Sequence, residues 1–257
     1  MSTEPFSRLA LPALLSGLCA CAGPAPEAEP EAPRVPAAEA LIERSIAYHD
    51  PDGRWDTASI ELEIAESRPD AGTRTATIRM APGRGTMVVR RDTGAAELAF
   101  EMAGEAIRSR SVDGDDLMDE EALAEHGLDQ DRVRWLRNYY LFVWGLPMKL
   151  RDPGTIVDPE AAPDTFDGQE ALRVRVTYDP EVGGDTWYFY FHPETARLIG
   201  YRFYHDEAAN DGEYIHLSGE IENGGLRLPA KRAWYFHQGD EFLGEDEAVS
   251  LVVSDSP

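Results

Sequence analysis

Cysteine is almost missing from this chain: its only two, Cys19 and Cys21, lie at the N-terminus. No disulfide framework can staple the rest, so the fold must stand on burial alone. Positive charge is scarce as well. The 24 Lys and Arg residues against 48 Asp and Glu leave a formal net charge of −24. Nucleic acid is thereby disfavoured as a partner, since it needs clustered Lys and Arg, and so is a surface lying flat on anionic headgroups. The acidity reads first as solubility or adaptation to a saline habitat, and second as an acidic site for cations or a basic partner. No apolar run after residue 21 approaches the roughly 18 residues of a membrane helix. Hydrolase signatures are missing too. There is no Gly-x-Ser-x-Gly, and Leu217-Ser218-Gly219 has neither the first glycine nor the strand–turn–helix context. Gly83-Arg84-Gly85 lacks the following helix that a phosphate cradle requires. Neither HExxH nor a two-His-one-carboxylate spacing is present. No cofactor or metal is therefore expected, and the leaning is away from an enzyme.

What is present begins with the first twenty residues. Arg8 precedes an apolar run, Leu9–Ala20, too short to span a bilayer. The run ends in Leu18-Cys19-Ala20-Cys21, which resembles a bacterial lipobox with Leu18 three before Cys21 and the small Ala20 directly before it. Cys19 fits worse, because Leu18 would fill the small-residue slot. The resemblance implies a signal peptide over 1–20, lipidation at Cys21 and attachment to a membrane through that lipid. Ala22 and Gly23 lack the Asp that holds enterobacterial lipoproteins at the inner membrane, so an outer-membrane lipoprotein is expected, facing the periplasm rather than the cell exterior. Plain secretion and a misplaced start are the alternatives. Residues 21–38, rich in Pro, Ala and Glu, cannot form a core and read as a solvated tether. Residues 39–257 are expected to form a single domain.

Ala38–Tyr48 places Leu41, Ile42, Ser45, Ile46 and Tyr48 near one helical face. His49-Asp50-Pro51-Asp52-Gly53 stops it and reads as a turn rather than a catalytic dyad. A train of alternating segments follows: Ser59–Ser67, Thr73–Met80, Thr86–Arg91, Glu97–Met102 and Ala106–Val112. In the first, Ile60, Leu62 and Ile64 share a face, with Glu61, Glu63 and Glu66 assigned off it. Asp119–His126 and Asp129–Trp144 then show helical spacing, a helical insert over about 119–147. Strands resume at Ala171–Tyr178, Thr186–His192, Leu198–Asp206, Glu213–Ile221, Leu226–Gln238 and Glu247–Val253. The expected fold is mainly β (α+β): about eleven antiparallel strands in a curled sheet or open half-barrel, with an N-terminal helix and the insert as a lid. This arrangement resembles the lipoprotein carriers LolA and LolB in architecture, not in motif.

Aromatics crowd three stretches: Arg137–Lys149, Asp185–Phe191 and Arg232–Phe236. A strand bulky on both faces is either covered on both or exposes one to something apolar. The first option gives a sheet filled by its own side chains. The second gives a cavity for an acyl chain or other apolar ligand, lined by Trp187, Phe189, Phe191, Trp234 and Phe236, with Tyr140 and Trp144 from the lid. His205-Asp206 and His216 are positioned to face each other across neighbouring strands, but exposed strand ends collect such residues without a metal.

From about Ala40 to Gly244 the chain resembles an uncharacterised family of bacterial envelope lipoproteins, familiar from Bacteroidetes. The blocks that carry this are Ile46–Pro51 with Gly53 and Trp55, Tyr139-Tyr140, Gly145–Leu150, Asp152–Thr155, Asp185–Phe191, Gly212–Ile215 with Gly219-Glu220, and Arg232–Tyr235. Within them His49, Asp50, Trp55, Pro147, Lys149, Asp185 and Tyr214 are the marker residues. The resemblance implies a fold and an envelope location but no reaction. The leading expectation is a lipoprotein that binds a lipid or lipoprotein acyl chain in its curled sheet. The rivals are an assembly module that presents an acidic face to an unknown protein partner, and a hydrolase whose nucleophile the sequence does not reveal.

Overall fold

A computed structural model describes residues 37–116 and 119–255. Cys21, the 1–20 leader and nearly all of the 21–38 tether lie outside the described residues. The first helix, α1 (Ala38–His49), buries Leu41, Ile42, Ser45, Ile46 and His49. Tyr48 leaves this face and donates from its hydroxyl to Glu220 at 2.8 Å; His49 takes the place assigned to it. Pro51 ends α1, and Asp50 then caps the four-residue α2 (Arg54–Thr57). Its two carboxylate oxygens accept from the Arg54 and Trp55 backbone N–H groups at 2.6 and 2.9 Å. Gly53 supplies the left-handed φ of 65° that this reversal needs.

Six strands follow in a meander: β1 (Ala58–Arg68), β2 (Gly72–Ala81), β3 (Thr86–Asp92), β4 (Glu97–Ala103), β5 (Ala106–Val112) and β6 (Asp115–Asp116). Two helices interrupt it, α3 (Glu120–Glu125) and α4 (Gln130–Gly145). The chain re-enters the sheet as β7 (Thr155–Val157), β8 (Ala162–Phe166), β9 (Gln169–Tyr178), β10 (Thr186–Phe191), β11 (Leu198–Asp206), β12 (Asp211–Asn223), β13 (Leu226–Phe236) and β14 (Phe242–Asp255). These fourteen strands make one open antiparallel sheet in the order 6-5-4-3-2-1-14-13-12-11-10-9-7, with β8 also on β9. The three strands beyond the expected eleven are β6, β7 and β8. They are too short for a period-two signal, and Pro163 within β8 is tolerated because that strand lies at an edge.

This order dictates the lid. The first half runs outward from β1 to one edge, and the second half starts at the opposite edge and runs inward to β14. The connection from β6 to β7 must therefore cross the sheet, and α3 and α4 lie in that connection. Helix α4 packs Val133, Leu136, Tyr140, Val143 and Trp144 into the main core with the concave-face residues Ile60, Leu62, Ile78 and Val89. Asp129 caps it by accepting from the Asp131 and Arg132 N–H groups. Gly145 closes it, since a Cβ there would sit 2.5 Å from the Trp55 ring.

β10 is covered on both faces. Phe189 and Phe191 enter the main core, while Tyr190 joins a small convex-side cluster with Phe166, Ala171 and Ile199. Phe166 reaches from β8 to stack on Tyr190 with ring centroids 4.3 Å apart. The ring fits because β11 carries Gly200, where a Cβ would lie 2.0 Å from Phe166 Cε1.

Candidate functional site

The concave face carries a row of charges in register across four strands. Arg232 on β13 pairs with Asp246 on β14, Asp246 with Glu66 on β1, and Glu66 with Arg74 on β2. Glu66, assigned off the apolar face, in fact continues the stripe of Ile60, Leu62 and Ile64 and is 2 % exposed. A strand alternates faces every residue, so an even-numbered charge in this run points inward. The same phase turns in Arg74 ahead of Ala76, Ile78 and Met80, and Arg91 after Met87 and Val89.

Both carboxylates are ion-paired, while Asp246 Oδ1 has no hydrogen-bond partner among the described residues. Glu66 Oε2 pairs with Arg74 Nε at 2.5 Å and with Arg91 Nη2 at 3.1 Å, while Oε1 accepts the Tyr140 hydroxyl at 3.0 Å. Asp246 pairs with Arg68 at 2.8 Å and accepts from Tyr139 Oη at 3.0 Å and Trp234 Nε1 at 3.2 Å. Burial pushes the Glu66 carboxyl up, but Arg91 and Arg74 outweigh this and hold it below the ordinary carboxylate range. Burial also keeps the Tyr139 and Tyr140 phenols protonated, so both donate. Two consecutive lid tyrosines thus fasten α4 to two neighbouring strands of the sheet.

Beside this clasp lies a cleft of about 1040 Å³ between α4 and the sheet. One wall is aromatic. Phe142 meets Trp187 edge-on at 5.0 Å, Trp187 stacks on Phe203 at 4.6 Å, and Tyr139 lies 6.0 Å from Trp234. The opposite end is cationic, with Arg74, Arg91 and Arg132. Trp135, half exposed, stacks on Tyr139 at the margin.

Of the residues expected to line a cavity, Tyr140, Trp187 and Trp234 do so. Phe189 and Phe191 do not: both are fully buried in the main core. Trp144 is also interior, its ring 3.6 Å beneath the guanidinium carbon of Arg232, which also donates to the Val143 and Pro229 carbonyls. Phe236 lies at the outer end of β13 and is 41 % exposed. Tyr139, Phe142, Phe203 and the arginines were missed. The available signal was a charge in phase with an apolar stripe.

The marker residues fall into three groups. His49, Asp50, Trp55 and Pro147 belong to the packing of the α1, α2 and α4 ends. His49 is fully buried, with Nδ1 2.8 Å from the Arg227 carbonyl and Nε2 3.1 Å from the Leu198 N–H. Pro147 begins the 3-10 turn after α4, and Lys149 pairs with Asp152 at the mouth of the cleft. Asp185 accepts from His205 Nδ1 at 2.8 Å, also at the cleft; this bond raises the His205 pKa. Tyr214 is on the convex side, stacked on Tyr235 and donating to Asp240 at 3.1 Å. His205 and His216 do not meet: the register sets His216 against Gly200, and its ion pair is with Asp167.

Comparison with solved structures places this architecture. A LolA superfamily protein from Nitrosomonas europaea superposes with a TM-score of 0.51 at 11 % identity, covering 86 % of this chain and 96 % of its own. A putative outer membrane lipoprotein-sorting protein domain from Vibrio parahaemolyticus gives 0.43 at 10 % identity, with 84 % and 93 % covered. No curated protein matches the sequence. The half-barrel with its helical lid is LolA-like in fold. Residues 33–251 match a family of unknown function, DUF6503, and the chain belongs to that family.

Proposed function

We propose that this protein is an outer-membrane-anchored lipoprotein of the cell envelope that holds a lipid or acyl chain in the cleft beneath α4. The observation that carries the reading is the cleft itself. Its volume is at the upper end of the range of small-molecule sites, roughly 300–1,000 Å³, and it combines apolar walls with a few convergent polar groups. Phe142, Phe203 and Trp187 offer apolar ring surface and Trp187 adds a polar tip, which suits an amphipathic occupant. The LolA-like fold agrees with this reading, as does the lipobox-like Leu18–Cys21. No helix among the described residues is long and apolar enough to cross a membrane, so attachment in this proposal rests on Cys21 alone.

A second reading, an assembly module with a filled sheet, draws on the complete burial of Phe189, Phe191 and Trp144. Solvent extraction of the gently purified protein followed by mass spectrometry separates the two, together with Trp187→Ala. On the lipid reading an acyl species co-purifies near one per chain, and Trp187→Ala lowers its occupancy severalfold for about 1–2 kcal/mol of stability. A lipid-free wild type, with Trp187→Ala costing the 3–5 kcal/mol typical of a core aromatic, would establish the filled sheet. Anchoring has its own measurement. Cys21→Ala is expected to move the protein from the membrane to the soluble fraction; unchanged fractionation would remove the lipid anchor from the proposal.

A further inference from the structure

Three guanidinium groups, Arg74, Arg91 and Arg132, converge at one end of the cleft, and among the described residues a single carboxylate makes ion pairs with them. Glu66 pairs with Arg74 and Arg91 and also accepts the Tyr140 hydroxyl. Arg132, from the first turn of α4, has no ion pair among the described residues; its guanidinium lies 4.2 Å over the Trp135 ring. Its charge is disfavoured first by burial and then by Arg91 and Arg74, with Tyr140 and Asp129 offsetting only part of this. Arg91 Nε is buried and meets no acceptor among the described residues. Three positive charges against Glu66 and the nearby helix-capping Asp129 leave an excess of one, in a chain whose net charge is −24. Such an excess is costly to assemble unless an anion offsets it.

From this end the cleft continues to the aromatic wall. Arg132 and Phe142 are ten residues apart on α4, about 15 Å at 1.5 Å rise per residue. An apolar chain of that length laid along Tyr139 and Phe142 would bring its head to the guanidinium groups. We infer that the arginine end is an oxyanion site that takes the phosphate or carboxylate head of an amphipathic ligand whose tail lies on the aromatic wall. Guanidinium forks match such oxyanions with paired N–H···O bonds. The inference rests on the lipid reading of the cleft and specifies which lipids fit: single-headed anions, not neutral or cationic ones.

Calorimetry on the full chain, with dodecyl phosphate, dodecanol and inorganic phosphate as separate probes, tests it. Dodecyl phosphate is expected to bind at least tenfold more tightly than dodecanol at low salt, with the advantage shrinking as salt rises. Arg132→Gln, which breaks no ion pair, should erase most of that advantage and leave dodecanol binding unchanged. Equal binding of dodecyl phosphate and dodecanol by the wild type would overturn the oxyanion site and leave the lipid reading standing. So would an advantage that survives both Arg132→Gln and Arg74→Gln. If neither alkyl probe binds and inorganic phosphate does not either, the lipid reading itself falls. Inorganic phosphate binding as tightly as dodecyl phosphate, and lost in Arg132→Gln, would support the oxyanion site with a free anion as its occupant.

Discussion

Glu66→Gln is expected to lower unfolding free energy by about 3–5 kcal/mol, the usual cost of removing one member of a buried ion pair. The carboxylate is almost inaccessible and, among the described residues, is the only anion paired with Arg74 and Arg91. The amide that replaces it keeps the shape but leaves Arg91, itself largely buried, beside Arg74 and Arg132 without a counter-charge. It also loosens the Tyr140 bond that fastens α4. Urea unfolding measures the loss. Glu222→Gln on the exposed Arg227 pair is the control, expected within about 1 kcal/mol of wild type. Equal effects at the two positions would show that the inward charge row contributes no more than a surface pair.

His49 should make the fold sensitive to mild acid. Its partners dictate the tautomer: the Arg227 carbonyl can only accept, so Nδ1 carries the proton, and the Leu198 N–H can only donate, so Nε2 must be bare. Protonating Nε2 would set two donors against each other inside the core. Burial, the dominant cause, depresses the pKa from 6.5 to about 4. Between these values the unfolded chain holds more protons than the folded one. The stabilisation is therefore complete above about pH 6.5 and is lost as the pH falls towards 4. At 1.36 kcal/mol per unit this amounts to about 3 kcal/mol. Other groups titrate in the same window, so the informative quantity is the difference between wild type and His49→Gln. The wild-type stability curve should fall more steeply from pH 6.5 to 4, and parallel curves would place the pH response elsewhere.

The long strands and both major helices were legible because each carries several turns or alternations of apolar residues against charge. The meander from Ala58 to Val112 and the helices beginning at Ala38 and Gln130 are of this kind. β6 and β7 were not, because two or three residues hold no period. The aromatic strands were legible as bulky on both faces, but position along a strand is not a periodic property. Trp187, Phe189 and Phe191 share one face of β10, yet the first lines the cleft and the other two fill the core. The ionic row was hidden more deeply. In a chain so rich in carboxylates, Glu66 and Asp246 stand out only when the register brings them side by side, and that register joins the first strand of the sheet to the last.

The pairing of β1 with β14 also governs the order of assembly. Ile60 lies opposite Val253 and Leu62 opposite Leu251, so the middle of the sheet is its longest-range contact and cannot form until synthesis is nearly finished. Until then β1 is an edge, and it carries a ready template for another chain. Its outward Glu61 and Glu63 guard that edge by charge while the seam is open. Slow closure of a non-local strand pair is the expected rate-limiting event, and Tyr139 and Trp234 can reach Asp246 together with Arg68 only after it. The cleft is therefore completed last, by the same event that ends the protein's exposure to misassembly.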